Sequence, residues 1–115
     1  MNTDCLFCKI AAGQIPCQTL YEDDEVLAFS DIAPQAPVHA LIIPKRHIES
    51  AQALEPADAA LLSRLFAAAR RLAEELDVAK SGYRLVTNVG GNGGQSVAHL
   101  HFHLLGGRAL QWPPG

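Results

Sequence analysis

The segment His99-Leu100-His101-Phe102-His103-Leu104-Leu105 places an imidazole at every second residue. Extended backbone sends alternate side chains to opposite faces, so the spacing predicts His99, His101 and His103 on one face and Leu100, Phe102 and Leu104 on the other. Successive imidazoles would lie roughly 6.5 Å apart along the strand, close enough for two or three to surround one phosphate group. Imidazole can attack phosphorus, donate a proton and stabilise charge near neutral pH. The chain has five histidines, so three on one strand face outweigh the alternative of a solvated surface that happens to be histidine-rich. Directly before them, Gly91-Asn92-Gly93-Gly94-Gln95-Ser96 offers glycines that let backbone N–H groups approach an anion. Alone, such a turn more often merely connects strands; its position before the histidines gives it weight. Ser96 can hydrogen-bond a phosphoryl oxygen or a leaving group, or cap the local backbone.

A second cluster begins at Cys5-Leu6-Phe7-Cys8. This spacing fits half a zinc site, half a redox motif or two buried thiols. His47 and His99 can supply the missing pair, and two thiolates with two imidazoles would make a closed tetrahedral, hence structural, site. A thioredoxin-like role is disfavoured because no βαβ pattern surrounds the pair. If His99 serves a metal, it is unavailable to phosphate. Cys17 has no partner in the sequence and reads as a small buried apolar residue.

The elements that must position these groups follow from periodicity. Leu20 to Asp31 reads as two short strands around Asp23-Asp24, a hairpin. The prolines of Ala33-Pro34-Gln35-Ala36-Pro37 force an irregular segment, and a third strand, Val38 to Ile43, stops at Pro44. From Pro56 to about Lys80, apolar residues from Leu61 to Leu76 recur at spacings of three and four, the pattern of one long amphipathic helix packed on a sheet. Pro56 suits its first turn, and Lys80 with Gly82 mark its exit. Tyr83 to Val89 is then a strand, Gly90 to Gly94 a loop, and Val97 to Leu105 a final strand. Strands, one long helix, then strands fit an α+β domain with helices on one face of an antiparallel sheet.

With 115 residues and no visible linker or repeat, residues 1–115 are expected to form a single domain. The net charge of −3 provides no basic field for a phosphate polymer, so nucleic acid is not an expected partner. No window approaches the roughly 20 apolar residues of a membrane-spanning helix, and Met1 to Ile10 lacks the pattern of a signal peptide. The expectation is a soluble, cytoplasmic protein whose three cysteines stay as thiols or metal ligands.

His99 to Leu105 matches the His-φ-His-φ-His-φ-φ signature, φ being apolar, and the chain thereby resembles the histidine-triad (HIT) superfamily. The resemblance runs through Ile15-Pro16, Tyr21-Glu22-Asp23-Asp24, Phe29-Ser30-Asp31-Ile32, Pro34-Gln35-Ala36-Pro37, Ile43-Pro44-Lys45-Arg46-His47 and Gly93-Gly94-Gln95-Ser96-Val97. The ending Trp112-Pro113-Pro114-Gly115 is similar to that of the Hint branch of histidine-triad nucleotide-binding proteins. The resemblance implies a five-stranded antiparallel sheet with one long helix and a short N-terminal helix, extended across a homodimer. It also implies hydrolysis of purine nucleoside 5'-phosphoramidates such as AMP-lysine and other AMP-amines, with acyl-adenylates as a further substrate class. His101 would be the nucleophile forming a nucleotidyl-histidine. His103, His39 and His99 would contact phosphate or tune His101, and Ser96 would assist the departing amine. Asp31 would bind the ribose hydroxyls; without the resemblance it reads equally as a turn cap before Pro34. Phe7, Ile10, Phe29, Ile32 and Leu41 would wall the base pocket, although from sequence alone each reads as core. Asn88, Gln95 and the backbone of Gly94 and Val97 complete the implied contacts. Some members hold zinc at positions matching Cys5, Cys8, His47 and His99, with no cofactor needed for the reaction.

Two other readings stand beside the enzyme. One is a nucleotide-binding or scaffold protein in which turnover is incidental; the other makes the three histidines ligands of a catalytic metal.

Overall fold

A computed structural model describes residues 4–115. Helix α1 (Leu6–Ala11) is followed by strands β1 (Thr19–Glu22), β2 (Val26–Ser30) and β3 (Val38–Pro44). Helix α2 (Ala59–Glu75), strand β4 (Tyr83–Val86), the one-turn helix α3 (Gly90–Gly93) and strand β5 (Phe102–Gly106) complete the chain. The sheet is antiparallel throughout, in the order β1-β2-β3-β5-β4. It is the α+β architecture expected from the sequence.

The hairpin turns where expected because Asp23 closes it. Its carboxylate accepts from the N–H groups of Glu25 and Val26 and from the Tyr21 hydroxyl, the local side-chain bonding that makes aspartate a turn residue. Alternation then separates two cores. Val26, Ala28, Ala40, Ile42, Leu100, Phe102 and Leu104 pack against Leu61, Leu65, Ala69 and Leu72 of α2. Leu27, Phe29, Leu41 and Ile43 point the other way, onto Cys5, Phe7 and Cys8 at the start of α1. Thus α1 lies opposite α2, where the sequence pattern placed helices on one face. Because α1 has only six residues, it covers only part of its face.

Four boundaries differ from expectation. The long helix ends at Glu75 and not near Lys80, because Asp77 adopts a positive φ of 61° and Val78 donates back to the Ala73 carbonyl. Val78 is thereby buried against Gly106, where an added Cβ would approach the valine side chain to 2.9 Å. Gly90 to Gly93, expected as a loop, winds one helical turn closed by Gly94 at φ 80°, a left-handed conformation that favours glycine. The final strand begins at Phe102, five residues later than the alternation implied, and β4 stops at Val86, which pairs with His103. Before Phe102 the chain bonds elsewhere: Leu100 N–H donates to Ile48 O at 2.6 Å, and the Thr87 hydroxyl to His101 O at 2.9 Å. No helix is long and apolar enough to cross a membrane among the described residues.

Candidate active site

The uncovered part of the second face is a cavity of about 290 Å³, near the lower end for small-molecule sites, roughly 300 Å³. Apolar side chains of α1 and the sheet (Phe7, Ile10, Phe29, Leu41) form one end. Ser30, Asp31, Ser96, His101 and His103 supply polar groups, and Ile32, fully exposed, stands at the rim.

His101 is 2 % exposed, and its Nδ1 lies 2.7 Å from the His99 carbonyl. A carbonyl only accepts, so Nδ1 carries the proton and the lone pair resides on Nε2. Phe7 packs edge-on against the ring at 5.1 Å, and His103 lies 5.1 Å away on the other side. The arrangement fixes the ring's orientation and, for the neutral imidazole, its tautomer, the form in which histidine is a nucleophile.

His103 and His39 form a pair. The Gln35 N–H donates to His39 Nδ1 at 3.0 Å, which puts the His39 proton on Nε2. That Nε2 lies 2.9 Å from His103 Nδ1 and 3.3 Å from Asp31 Oδ2. His103 therefore accepts at Nδ1 and keeps its own N–H at Nε2. Burial, reinforced by repulsion from His101 and His39, pushes His103 down to about 4. Burial also lowers His39, with Asp31 opposing. Both rings are neutral at pH 7. The donor atoms of Asp31, His39 and His103 lie within 4.8 Å of one another, and the two rings are bonded to each other through the His39 Nε2–H and His103 Nδ1.

His99 has another fate. It is fully buried, its Nε2–H donates to Pro44 O at 2.8 Å, and its Nδ1 lies 3.3 Å from Cys5 Sγ and 3.5 Å from Cys8 Sγ. His47 Nδ1 reaches Cys8 Sγ at 3.3 Å. The four donor atoms all lie within 4.8 Å of one another, close enough to hold a metal ion. Ligand sulfur and nitrogen around tetrahedral zinc stand roughly 3.6 Å apart, given Zn–S near 2.3 Å and Zn–N near 2.05 Å, so the residues present fit such an ion. Burial lowers the His99 ring below its ordinary value, keeping Nδ1 unprotonated and able to ligate.

Elsewhere the glycine segment is consumed by its own structure. The N–H groups of Gly94 and Gln95 bond to Gly91 O and Gly90 O. The Gln95 amide braces the loop, accepting from Gly90 N–H and donating to Glu49 O and Val97 O. Gln95, Gly94 and Asn88 do not line the cavity, whereas Ser96 and Val97 do. Cys17 is half-buried at the cavity wall, not deep in the core. Sequence reasoning missed Gln35, Thr87 and the Pro44 carbonyl, which orient the imidazoles through groups that carry no motif. It also missed Leu6, Ile15, Pro16 and Ser30 in the wall.

A family model for the HIT domain matches residues 12–110. The chain belongs to the HIT family. An uncharacterised HIT-like protein of Synechocystis is 48% identical over 115 residues, spanning 100% of both chains. A HIT family hydrolase from Legionella pneumophila superposes with a TM-score of 0.95 at 52% identity, covering 96% of this chain and 99% of that one. A histidine triad protein from Clostridium difficile gives 0.93 at 41% identity, with 96% of each covered. The fold of this HIT protein is thus that of solved HIT hydrolases, and its histidine triad is the segment that bears His99, His101 and His103.

Proposed function

We propose that this chain hydrolyses purine nucleoside 5'-phosphoramidates at the α-phosphorus, as a member of the Hint branch. The observation that carries the reading is the 2.7 Å contact from His101 Nδ1 to the His99 carbonyl, which leaves a lone pair on Nε2 beside a small, largely apolar cavity. The base would rest among Phe7, Ile10, Phe29, Ile32 and Leu41. The Asp31 carboxylate would accept from the ribose hydroxyls. His101 Nε2 attacks phosphorus, the P–N bond breaks, and the leaving amine takes up a proton with the Ser96 hydroxyl assisting. Water then cleaves the nucleotidyl-histidine, which returns Nε2 and releases the nucleoside monophosphate. Throughout, His103 Nε2–H, backed by His39, faces the charge that builds on the phosphoryl oxygens.

The likeness to proteins named HIT family hydrolases supports a hydrolase. The ending Trp112-Pro113-Pro114-Gly115 and a cavity with an apolar end and polar groups at Asp31, Ser96, His101 and His103 support the finer assignment. Zinc held by Cys5, Cys8, His47 and His99 would supply a structural cross-link between α1, the segment after β3 and the triad. A homodimer pairing sheet edges is part of the same reading, with exposed Tyr83 on edge strand β4 as a candidate contact.

The test is hydrolysis of adenosine 5'-phosphoramidate by the wild type and His101→Ala. The expected loss in the variant is at least about 10³-fold in kcat. Equal rates would overturn the assignment.

A further inference from the structure

The proposed nucleophile sits in a stretch that the sheet does not hold. Because β5 starts at Phe102, the stretch around His101 is held from the side by four contacts besides the neighbouring His103 ring. Thr87 holds its carbonyl, Ile48 holds the N–H of Leu100, and the His99 carbonyl takes its Nδ1–H. The fourth is Phe7, packed on both the His101 ring at 5.1 Å and the His99 ring at 6.0 Å. Two of these four trace to one place. Phe7 lies between the two cysteines on α1, and the His99 ring, 5.1 Å from that of His47, is held by both thiols. His99 thus faces two ways: its ring belongs to the Cys/His cluster and its carbonyl to the nucleophile.

We propose that Cys5, Cys8 and His47 are positioning residues for the reaction, so that the state of the buried cluster sets the turnover number through the His99 carbonyl and Phe7. The inference rests on His101 being the nucleophile. Cys5 caps α1 and Cys8 lies within it, so this short helix brings the device to the triad. Loosening the cluster lets the His99 peptide rotate, and the His101 proton then loses the acceptor that keeps it on Nδ1. A misplacement of about 1 Å at a reacting group costs about 10²-fold. A cluster that merely staples α1 to the sheet would behave differently: its loss would lower stability while the folded fraction kept its turnover number.

The experiment compares wild type, Cys5→Ser/Cys8→Ser and His47→Gln, each loaded with Zn²⁺ alone or stripped by a chelator, well below its melting temperature. Four quantities are read: kcat and KM for adenosine phosphoramidate, the Kd for AMP, and the Nδ1–H resonance of His101 in ¹⁵N-histidine-labelled protein. Disrupting the cluster should lower kcat by about 10- to 100-fold, leave the AMP Kd within about threefold, and broaden the His101 resonance, while unfolding stays cooperative. Zn²⁺ should restore the stripped wild type but not the double variant. An unchanged kcat with a sharp resonance in the stripped protein would overturn the proposal. If the double variant fails to fold, the stripped wild type and His47→Gln, altered at a half-buried ring, carry the same decision. If the wild type shows no turnover, the assigned activity fails, and the resonance alone still decides the positioning.

Discussion

His99 and His103 stand two residues to either side of His101, are of the same type, and share its alternation, yet they do opposite things. His99 is sealed, its ring bonded to Pro44 O and to two thiols from α1. His103 lies in β5 opposite Leu41, half-buried at the cavity, and accepts from His39 on the neighbouring strand β3. Neither role is written in the spacing. Each imidazole takes the contacts that its nearest foreign element permits: the cysteine-bearing α1 draws the His99 ring into a cluster whose donor atoms are close enough to hold a metal ion, and His39, held by the Gln35 N–H, leaves His103 with its N–H at Nε2.

The largest way to sharpen this contrast is to remove each ring in turn. His103→Ala should lower kcat by about 10²-fold, as expected for loss of a positioned hydrogen-bond donor to the phosphoryl oxygens, with little change in the melting temperature. His99→Ala should destabilise the protein by about 2–3 kcal/mol, because it opens a buried site and strands two thiols, and chemical denaturation would report it. Similar stability losses in both variants would erase the distinction.

Acid should test the neutrality of His103 next. Burial holds His103 at about 4, below the ordinary 6.5, so the unfolded chain binds the proton more readily than the folded one. The stability contributed by neutral His103 is fully present above about pH 6.5 and is lost as the pH falls towards about 4. His103→Gln should therefore flatten the stability profile in that window, measured by denaturant midpoints at several pH values. A parallel profile in the variant would contradict the assigned neutrality. The smallest effect should come from Asp31→Asn, which keeps one acceptor oxygen for the ribose and removes a charge beside His39. A loss of about 10-fold in kcat/KM is expected, and comparison with the 2'-deoxy substrate should show that the variant no longer discriminates between them.

How far the sequence could carry this account depended on whether a residue's role is local. The hairpin was legible because Asp23 bonds within its own turn. The opposition of Leu100, Phe102 and Leu104 to the histidines was legible because alternation persists even where the ladder fails. The start of β5 was not, since the bond from Leu100 to Ile48 crosses about fifty residues and has no periodicity to announce it. The helix end was misplaced for a similar reason: Lys80 and Gly82 are ordinary stop signals, whereas Asp77 in a left-handed conformation is not one that composition reveals. In the site, Cys5, Cys8, His47 and His99 were legible as a donor set by type and spacing. The tautomers were not, because Gln35 N–H, Pro44 O and His99 O, which fix them, are backbone groups common to every residue.

The most direct measurement is to quench a reaction with adenosine phosphoramidate within its first turnover and locate the nucleotidyl group by peptide mass spectrometry. The account predicts the adduct on His101 in the wild type, accumulating further in a variant slowed in the second step. An adduct on His99 or His103, or turnover that proceeds without any covalent species and survives His101→Ala, would contradict it.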